Sequence, residues 1–551
     1  MLYFEFPNSL MKRILWLAIY LAPLCGQGQA HEYDIILRQG TIYDGLGGKP
    51  IVADVAIHAD TLAAIGDLSS SRGKDEIDCR SMAIAPGFIN MLSWADGTLL
   101  LDGRAVGDIK QGVTLEVFGE GLSPGPRLRK AGDPLWSTLG GYFDYLQKKG
   151  VSPNFASFVG ATTVRTYVLG QQNVKPTPLQ LQLMKKLVRE AMEEGAMGVG
   201  SSLIYAPATF AATEELITLC SVAGEYGGMY ITHMRSEGDE ILDALNETFR
   251  IAKEAGVAAE IYHLKINHQR NWNKIDTVLF KIDSARTAGL RISANIYPYE
   301  ASATGLKERV PNWAQEGGFT QLLKRIKNPV TRKKILYDME NGIPSRNSNP
   351  KDVMMLRFRR DSLNKLYQNK RLEEVARLHG KNADETVLDL LVSDRSAIGA
   401  VYFLISEENM RKMLLQPYVS VGSDAGAVAI TKNFAVSGSH PRAYGTFARI
   451  LGKYVREEKL MSLEEAVRRL TSLPAGNLKI QKRGALKTGY FADVVVFDPE
   501  KIQDHGTFEL PHQYSTGVSH VFVNGVQVLK DGEHTGAKPG LCIRGPGWKK
   551  K

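Results

Sequence analysis

The sequence predicts an α/β protein: a (β/α)8 TIM-like barrel with a β-sandwich formed from both chain ends and an inserted subdomain. Three observations predict it. The two ends carry short alternating segments split by Gly and Asp turns, the middle alternates apolar runs with helical patterns, and one long stretch rich in Lys and Arg lacks any barrel strand.

At the amino end YDIILRQGTIYDG, IVADVAIHADTLAAIG and EIDCRSMAIAPG read as antiparallel strands, and the texture returns from RGALKTGYFADVVVFDP through HVFVNGVQVLKDGEHTG. Each end alone has few strands with which to bury a core, so one sandwich over 31–85 and 476–551 is expected rather than two separate modules. Between them, over 86–475, eight runs read as barrel strands: GFINMLSW, GVTLEVFG, ASFVGATTV, GVGSSLIY, GMYITHM, AAEIYHL, RISANIY and YVSVGSD. The intervening PLQLQLMKKLVREAMEEG and LDALNETFRIAKEAG place apolar residues three and four apart and end on Gly, as amphipathic helices do. A ninth run, VYFLIS at 401–406, is surplus and falls in an excursion before the last strand. The stretch from about 306 to 400 is read as an inserted subdomain or lid between strands seven and eight.

The chain of 551 residues, 44% hydrophobic and 23% charged, has an ordinary globular composition. Its formal charge of +9 is spread along the chain apart from a moderately basic stretch, Lys324 to Arg360, so no nucleic-acid partner is expected. Near the start, MKRILWLAIYLAPLCGQGQA combines two basic residues, a short apolar run and a small-x-small ending at Gly28 and Ala30. Residues 1–30 are therefore expected to be a signal peptide, and the mature chain to be periplasmic or secreted without stable membrane insertion. Bulky Leu24 before Cys25 favours cleavage after Ala30 over a lipid anchor. The remaining Cys79, Cys220 and Cys542 make no disulfide framework and read as packed small hydrophobes.

Barrel chemistry sits where strands end at the carboxyl face. That rule selects Glu120 on strand two, His233 on strand five, His263 and Lys265 on strand six, Tyr297 on strand seven and Asp424 on strand eight. A carboxylate and two imidazoles form one standard ligand set for catalytic zinc. A lone strand-end histidine is more often a hydrogen-bonded structural residue; two on successive strands near a carboxylate favour ligation. Asp424 reads either as a turn carboxylate or as the group that takes a proton from a water and returns it to a leaving amine.

Taken together, RQGTIYDG, APGFIN, MGVGSSLIYAP, THMRSE, HLK with RNWNK, YPY, GSDAG, HPRAYGTFARILGKYVREE, TSLPAGNL and PHQYSTGVSHVFVNG resemble the D-aminoacylases, N-acyl-D-amino-acid deacylases of the amidohydrolase superfamily, over nearly all of the mature chain. The resemblance implies zinc held by His233, His263 and Glu120, the last standing where the family has cysteine, with Asp424 as the catalytic acid and base. It implies one Zn2+ per chain, because Leu92 and Trp94 replace the strand-one His-x-His pair of a second, weaker position, and VGATTVR on strand three lacks a histidine found in relatives. It implies that Lys265, Tyr205 and Tyr297 hold the substrate carboxylate, with Arg442 of HPRAYG within reach. Each also has a plain alternative, as a solvated lysine, core tyrosines and a loop anchor. The expected activity is hydrolysis of an N-acyl-D-amino acid or similar small molecule. The rivals are an amidohydrolase opening a cyclic amide, imide or isopeptide, and an exported binding protein whose altered first strand marks lost catalysis.

Overall fold

The computed structural model describes residues 1, 32–128, 135–342, 348–427, 429–430 and 439–550. The predicted leader, with Cys25 and Ala30, lies outside the described residues.

The chain opens with β1 (Tyr33–Ile42), β2 (Ile51–His58), β3 (Thr61–Gly66), β4 (Gly73–Asp78) and β5 (Ala83–Pro86). The barrel strands follow: β6 (Phe88–Asn90), β7 (Val113–Phe118), β8 (Asn154–Ser157) continued by β9 (Val159–Gly160), β10 (Gly198–Ser202), β11 (Met229–His233), β12 (Ala258–Ile261) and β13 (Ile292–Ile296). An excursion then contributes β14 (Ser302–Gly305), β15 (Val353–Arg357) and β16 (Gly399–Tyr402) before the last barrel strand, β17 (Val419–Val421). The chain closes with β18 (Val494–Phe497), β19 (Val518–Val523), β20 (Val526–Lys530) and β21 (Glu533–His534).

All eight apolar runs become parallel barrel strands. One ladder joins β6, β7 and β8, another runs β9-β10-β11-β12-β13-β17, and a parallel bridge from Ser93 to Ala425 closes the ring. The strands from β6 to β11 are buried throughout, which is why they read as apolar runs rather than alternating ones.

The two chain ends share one nine-stranded sheet, because β18 pairs β5 antiparallel, Val494 opposite Pro86 through Phe497 opposite Ala83. Its buried cluster takes Leu37, Val55, Ile57 and Ile84 from one end and Val494, Val496 and Phe522 from the other. A fully buried side chain of this size contributes about 1.5–3 kcal/mol, so neither end keeps its core alone. Not every pairing is antiparallel: β1 runs parallel to β4 and to β5, while its antiparallel pairing with β2 carries a bulge between Leu37 and Gly40. Beyond β21 the chain leaves the sheet and returns to the barrel, where Phe155 N–H donates to Leu541 O (3.0 Å) and Ile543 N–H to Phe155 O (2.8 Å).

The excursion has its own antiparallel sheet, β14-β16-β15, and its own core, including Leu322, Ile335, Met355, Val387 and Leu391. The surplus run VYFLIS supplies the end of β16, so its strand character is satisfied inside the subdomain. No helix among the described residues is long and apolar enough to cross a membrane. Cys79 and Cys220 are buried free thiols, and burial pushes Cys79 up to about 12, as a packing role requires.

Candidate metal centre and active site

Glu120 is aimed by the turn that ends β7. Gly119 adopts φ +106°, and a Cβ there would lie 2.5 Å from Phe158 O, so only glycine lets the chain turn this close to β9. His233 is the last residue of β11, and His263 stands two residues beyond β12. His263 holds φ +33°, unusual for a residue with a side chain, and its N–H donates to Asn295 Oδ1 at 2.8 Å.

These three side chains meet. Glu120 Oε1 lies 2.8 Å from His233 Nδ1 and 3.1 Å from His263 Nε2, and the imidazole centroids are 4.4 Å apart at an interplanar angle of 84°. One donor atom from each residue falls within 4.8 Å of the others, and all three residues are buried. Burial pushes Glu120 up, but His263 and His233 outweigh it and hold the carboxyl down at about 2. Burial and Lys265 push His263 down, but Glu237 and Glu120 outweigh them and hold it up at about 9. The site thus stabilises positive charge where the donors converge, as a divalent cation requires.

Sequence reasoning missed Glu237. It stands four residues after His233 in THMRSE, and that spacing beside a strand-end histidine was the available signal. Its Oε1 lies 2.6 Å from Lys265 Nζ and 3.0 Å from His263 Nδ1; its Oε2 lies 3.5 Å from His233 Nε2, a buried nitrogen without a hydrogen-bond partner. Lys265 also sits 2.7 Å from His263 Nδ1. Its charge is therefore already matched by Glu237, and it braces His263 as well as facing the cavity.

Asp424 follows β17 with φ +50°, pinned by its own N–H donating to Leu92 O at 2.9 Å. Its Oδ1 accepts the Trp94 indole N–H at 2.9 Å, and its Oδ2 lies 2.8 Å from Arg442 Nη1. That second contact is an ion pair rather than an aligned hydrogen bond, since Nη1 has no partner of hydrogen-bond geometry. Arg442 opens the helix Arg442–Arg449, and its backbone N–H donates to His440 Nδ1 while His440 Nε2 donates to Ala301 O. Burial and Arg442 keep His440 well below its usual range, hence neutral and able to accept.

Tyr297 is buried with an unpartnered hydroxyl, and the Arg442 guanidinium lies over its ring at 4.5 Å. Tyr205 packs its ring 5.0 Å from that of His233. Burial, followed by nearby carboxylates, pushes the Tyr205 hydroxyl up; burial does the same to Tyr297, so both phenols stay protonated. All eight residues singled out in the sequence line one cavity of about 1160 Å3, which also meets the inserted subdomain at Lys307, Glu308 and Phe319.

The amidohydrolase family profile matches residues 75–529. The chain belongs to the amidohydrolase family. Within it, D-aminoacylase of Alcaligenes xylosoxydans xylosoxydans is 32% identical over 529 residues, covering 94% of this chain and 99% of the relative, and N-acyl-D-glutamate deacylase of the same organism is 31% identical over 93% and 97%. The crystal structure of N-acyl-D-glutamate deacylase from Bordetella bronchiseptica, complexed with zinc and a phosphonate inhibitor that mimics the tetrahedral intermediate, superposes with a TM-score of 0.79 at 28% identity, covering 93% of this chain and 99% of that one. A D-aminoacylase with a binuclear metal centre, activated by one metal and attenuated by the second, superposes at 0.78 with 31% identity, over 93% and 100%. The amidohydrolase barrel with its β-domain is therefore the fold of this chain.

Proposed function

We propose that this amidohydrolase is a zinc-dependent deacylase that releases the amino acid from N-acyl-D-amino acids. One observation carries the reading: Glu120, His233 and His263 converge at the mouth of the barrel beside Asp424, in a chain whose relatives include D-aminoacylase and two N-acyl-D-amino-acid deacylases. Those three residues would hold the metal, and the fit is supported by a buried Glu120 oxygen lying 2.8 Å from His233 Nδ1 and 3.1 Å from His263 Nε2, with one donor atom from each residue within 4.8 Å of the others. Zinc in such a site supplies polarisation of the scissile carbonyl and a more acidic water.

The chain's own residues do the rest. Asp424 accepts a proton from the attacking water at a carboxylate oxygen and returns it to the nitrogen of the leaving amine. Trp94 and Arg442 fix that carboxylate from both sides. The buried Tyr297 hydroxyl donates to a substrate oxygen, and Arg442, whose guanidinium lies over the Tyr297 ring, places positive charge beside it for the substrate carboxylate, while Lys265 is already matched by Glu237. Glu237 holds Lys265 and His263 in place. Leu92 and Trp94 in place of the strand-one histidines, and Thr162 and Thr163 at the start of the helix after strand three, support one zinc per chain; of these, Trp94, Thr162 and Thr163 line the pocket.

The leader pattern supports export to the periplasm or medium, and the substrate is a small molecule. The test is a panel of N-acyl D- and L-amino acids given to zinc-loaded protein, with free amino acid as the readout. Release from D substrates and not from their L enantiomers is expected; release from neither, with one zinc bound, overturns the reading.

A further inference from the structure

We propose that Trp94 is a positioning residue for Asp424 and that, together with Arg442 and Leu92, it closes the flank of the metal centre to a second cation. The inference rests on the deacylase reading for its kinetic part and on geometry alone for its metal part.

Both oxygens of Asp424 are engaged by groups that only donate. Trp94 Nε1 lies 2.9 Å from Oδ1, and Arg442 Nη1 lies 2.8 Å from Oδ2. An indole N–H and a guanidinium have no lone pair for a metal. The backbone at Leu92 accepts the Asp424 N–H, and the Leu92 side chain is fully buried and apolar. A cation placed against Asp424 on this side would meet a donor N–H, a fixed positive charge and hydrocarbon, the opposite of the oxygen and nitrogen donors that any such cation needs. The only group of three or more metal donors among the described residues is Glu120, His233 and His263.

The same contacts serve the chemistry. Each carboxylate oxygen accepts more than one hydrogen bond, so Asp424, with the Trp94 N–H on Oδ1 and only the Arg442 ion pair against Oδ2, keeps lone pairs for the proton of the attacking water. With donors on different oxygens the group is held against rotation about its Cβ–Cγ bond. Trp94 provides this from a neutral side chain, while the backbone strain at φ +50° is held by the Leu92 contact. In the binuclear D-aminoacylase the second metal attenuates activity. Trp94 builds the one-metal condition into this chain.

The test uses full-length mature protein, wild type, Trp94→Phe and the double variant Leu92→His/Trp94→His, each checked by circular dichroism. Bound zinc is measured by elemental analysis after equilibration with a tenfold excess and gel filtration. Wild type should hold one equivalent and show a flat rate as zinc rises, and Trp94→Phe, which keeps the ring and loses the N–H, should hold the same metal with KM little changed and kcat down about tenfold or more, since slight misplacement of a catalytic group is costly. The double variant should take up a second equivalent. Two equivalents on wild type, or wild-type kcat in folded Trp94→Phe, overturns the proposal. If wild type hydrolyses no N-acyl amino acid, the deacylase reading fails while the zinc count still decides the metal part; a double variant that does not fold leaves wild type and Trp94→Phe to decide it.

Discussion

Asp424→Asn separates a proton carrier from a turn carboxylate. Asparagine keeps an oxygen for the Trp94 N–H, now 2.9 Å from Oδ1, but it offers Arg442 an amide in place of a charged oxygen at 2.8 Å. The side chains of Arg442 and Asp424 are only 6% and 11% exposed. Removing one partner of so buried a pair costs about 3 kcal/mol or more, so the variant should melt several degrees lower. The kinetic loss is separate. Asparagine cannot accept the water's proton, and a general base contributes on the order of a hundredfold to ten-thousandfold, about 3–5 kcal/mol of barrier. The assay is kcat on zinc-loaded protein well below its melting temperature, alongside zinc content and a circular dichroism spectrum. Zinc should stay at wild-type level, because Asp424 is not among the three converging metal ligands. Folded, zinc-loaded Asp424→Asn with turnover within a few fold of wild type would refute the mechanism, since Asn satisfies a turn about as well as Asp.

Three further outcomes follow from other residues. Glu237→Gln removes the charge that holds Lys265 at 2.6 Å and His263 at 3.0 Å, so zinc affinity should fall about tenfold to a hundredfold in competition with a chelator, without loss of the three ligands. Glu116 is fully buried beside Asp108, and burial raises its carboxyl to about 7 against the hydrogen bonds of Ser93 and Asn90. Its folded value lies above the ordinary 4.5, so native Glu116 favours protonation and costs stability progressively as pH rises from about 4.5 to 7. Glu116→Gln should therefore stabilise the protein by on the order of 3 kcal/mol at pH 8 and little at pH 4, read by denaturation at both. Mass spectrometry of protein from the periplasm or medium should give an amino terminus near His31; an intact leader on cytoplasmic protein, or a lipid mass on Cys25, would count against simple export and cleavage.

The sequence made the barrel legible because its strands are buried on both faces and so run apolar without alternation, and because each ends on a recognisable turn. Six of the eight site residues could be chosen from strand ends, Tyr205 and Arg442 came only from the family resemblance, and all eight line one cavity. What could not be read was partnership. Lys265 looks free in HLK, yet its charge is spent on Glu237, which lies on the preceding strand's loop, 28 residues away in the chain. Trp94 reads as the loss of a ligand, yet it is the hydrogen-bond donor to Asp424, 330 residues distant. Alternation likewise suggests antiparallel strands at the amino end, but period two does not distinguish direction, and β4 and β5 run parallel to β1. The excursion's sheet was hidden because β14 is half-buried and short, and only its pairing with β16 makes it a strand.

The central claim is that Glu120, His233 and His263 hold the one metal of this enzyme. Anomalous diffraction from crystals of zinc-equilibrated protein, collected on either side of the zinc edge, tests it most directly. A single strong peak is predicted, about 2.0–2.2 Å from a Glu120 oxygen and one nitrogen of each histidine. No peak there, a peak on other residues, or a second peak of equal strength against Asp424 would contradict the account.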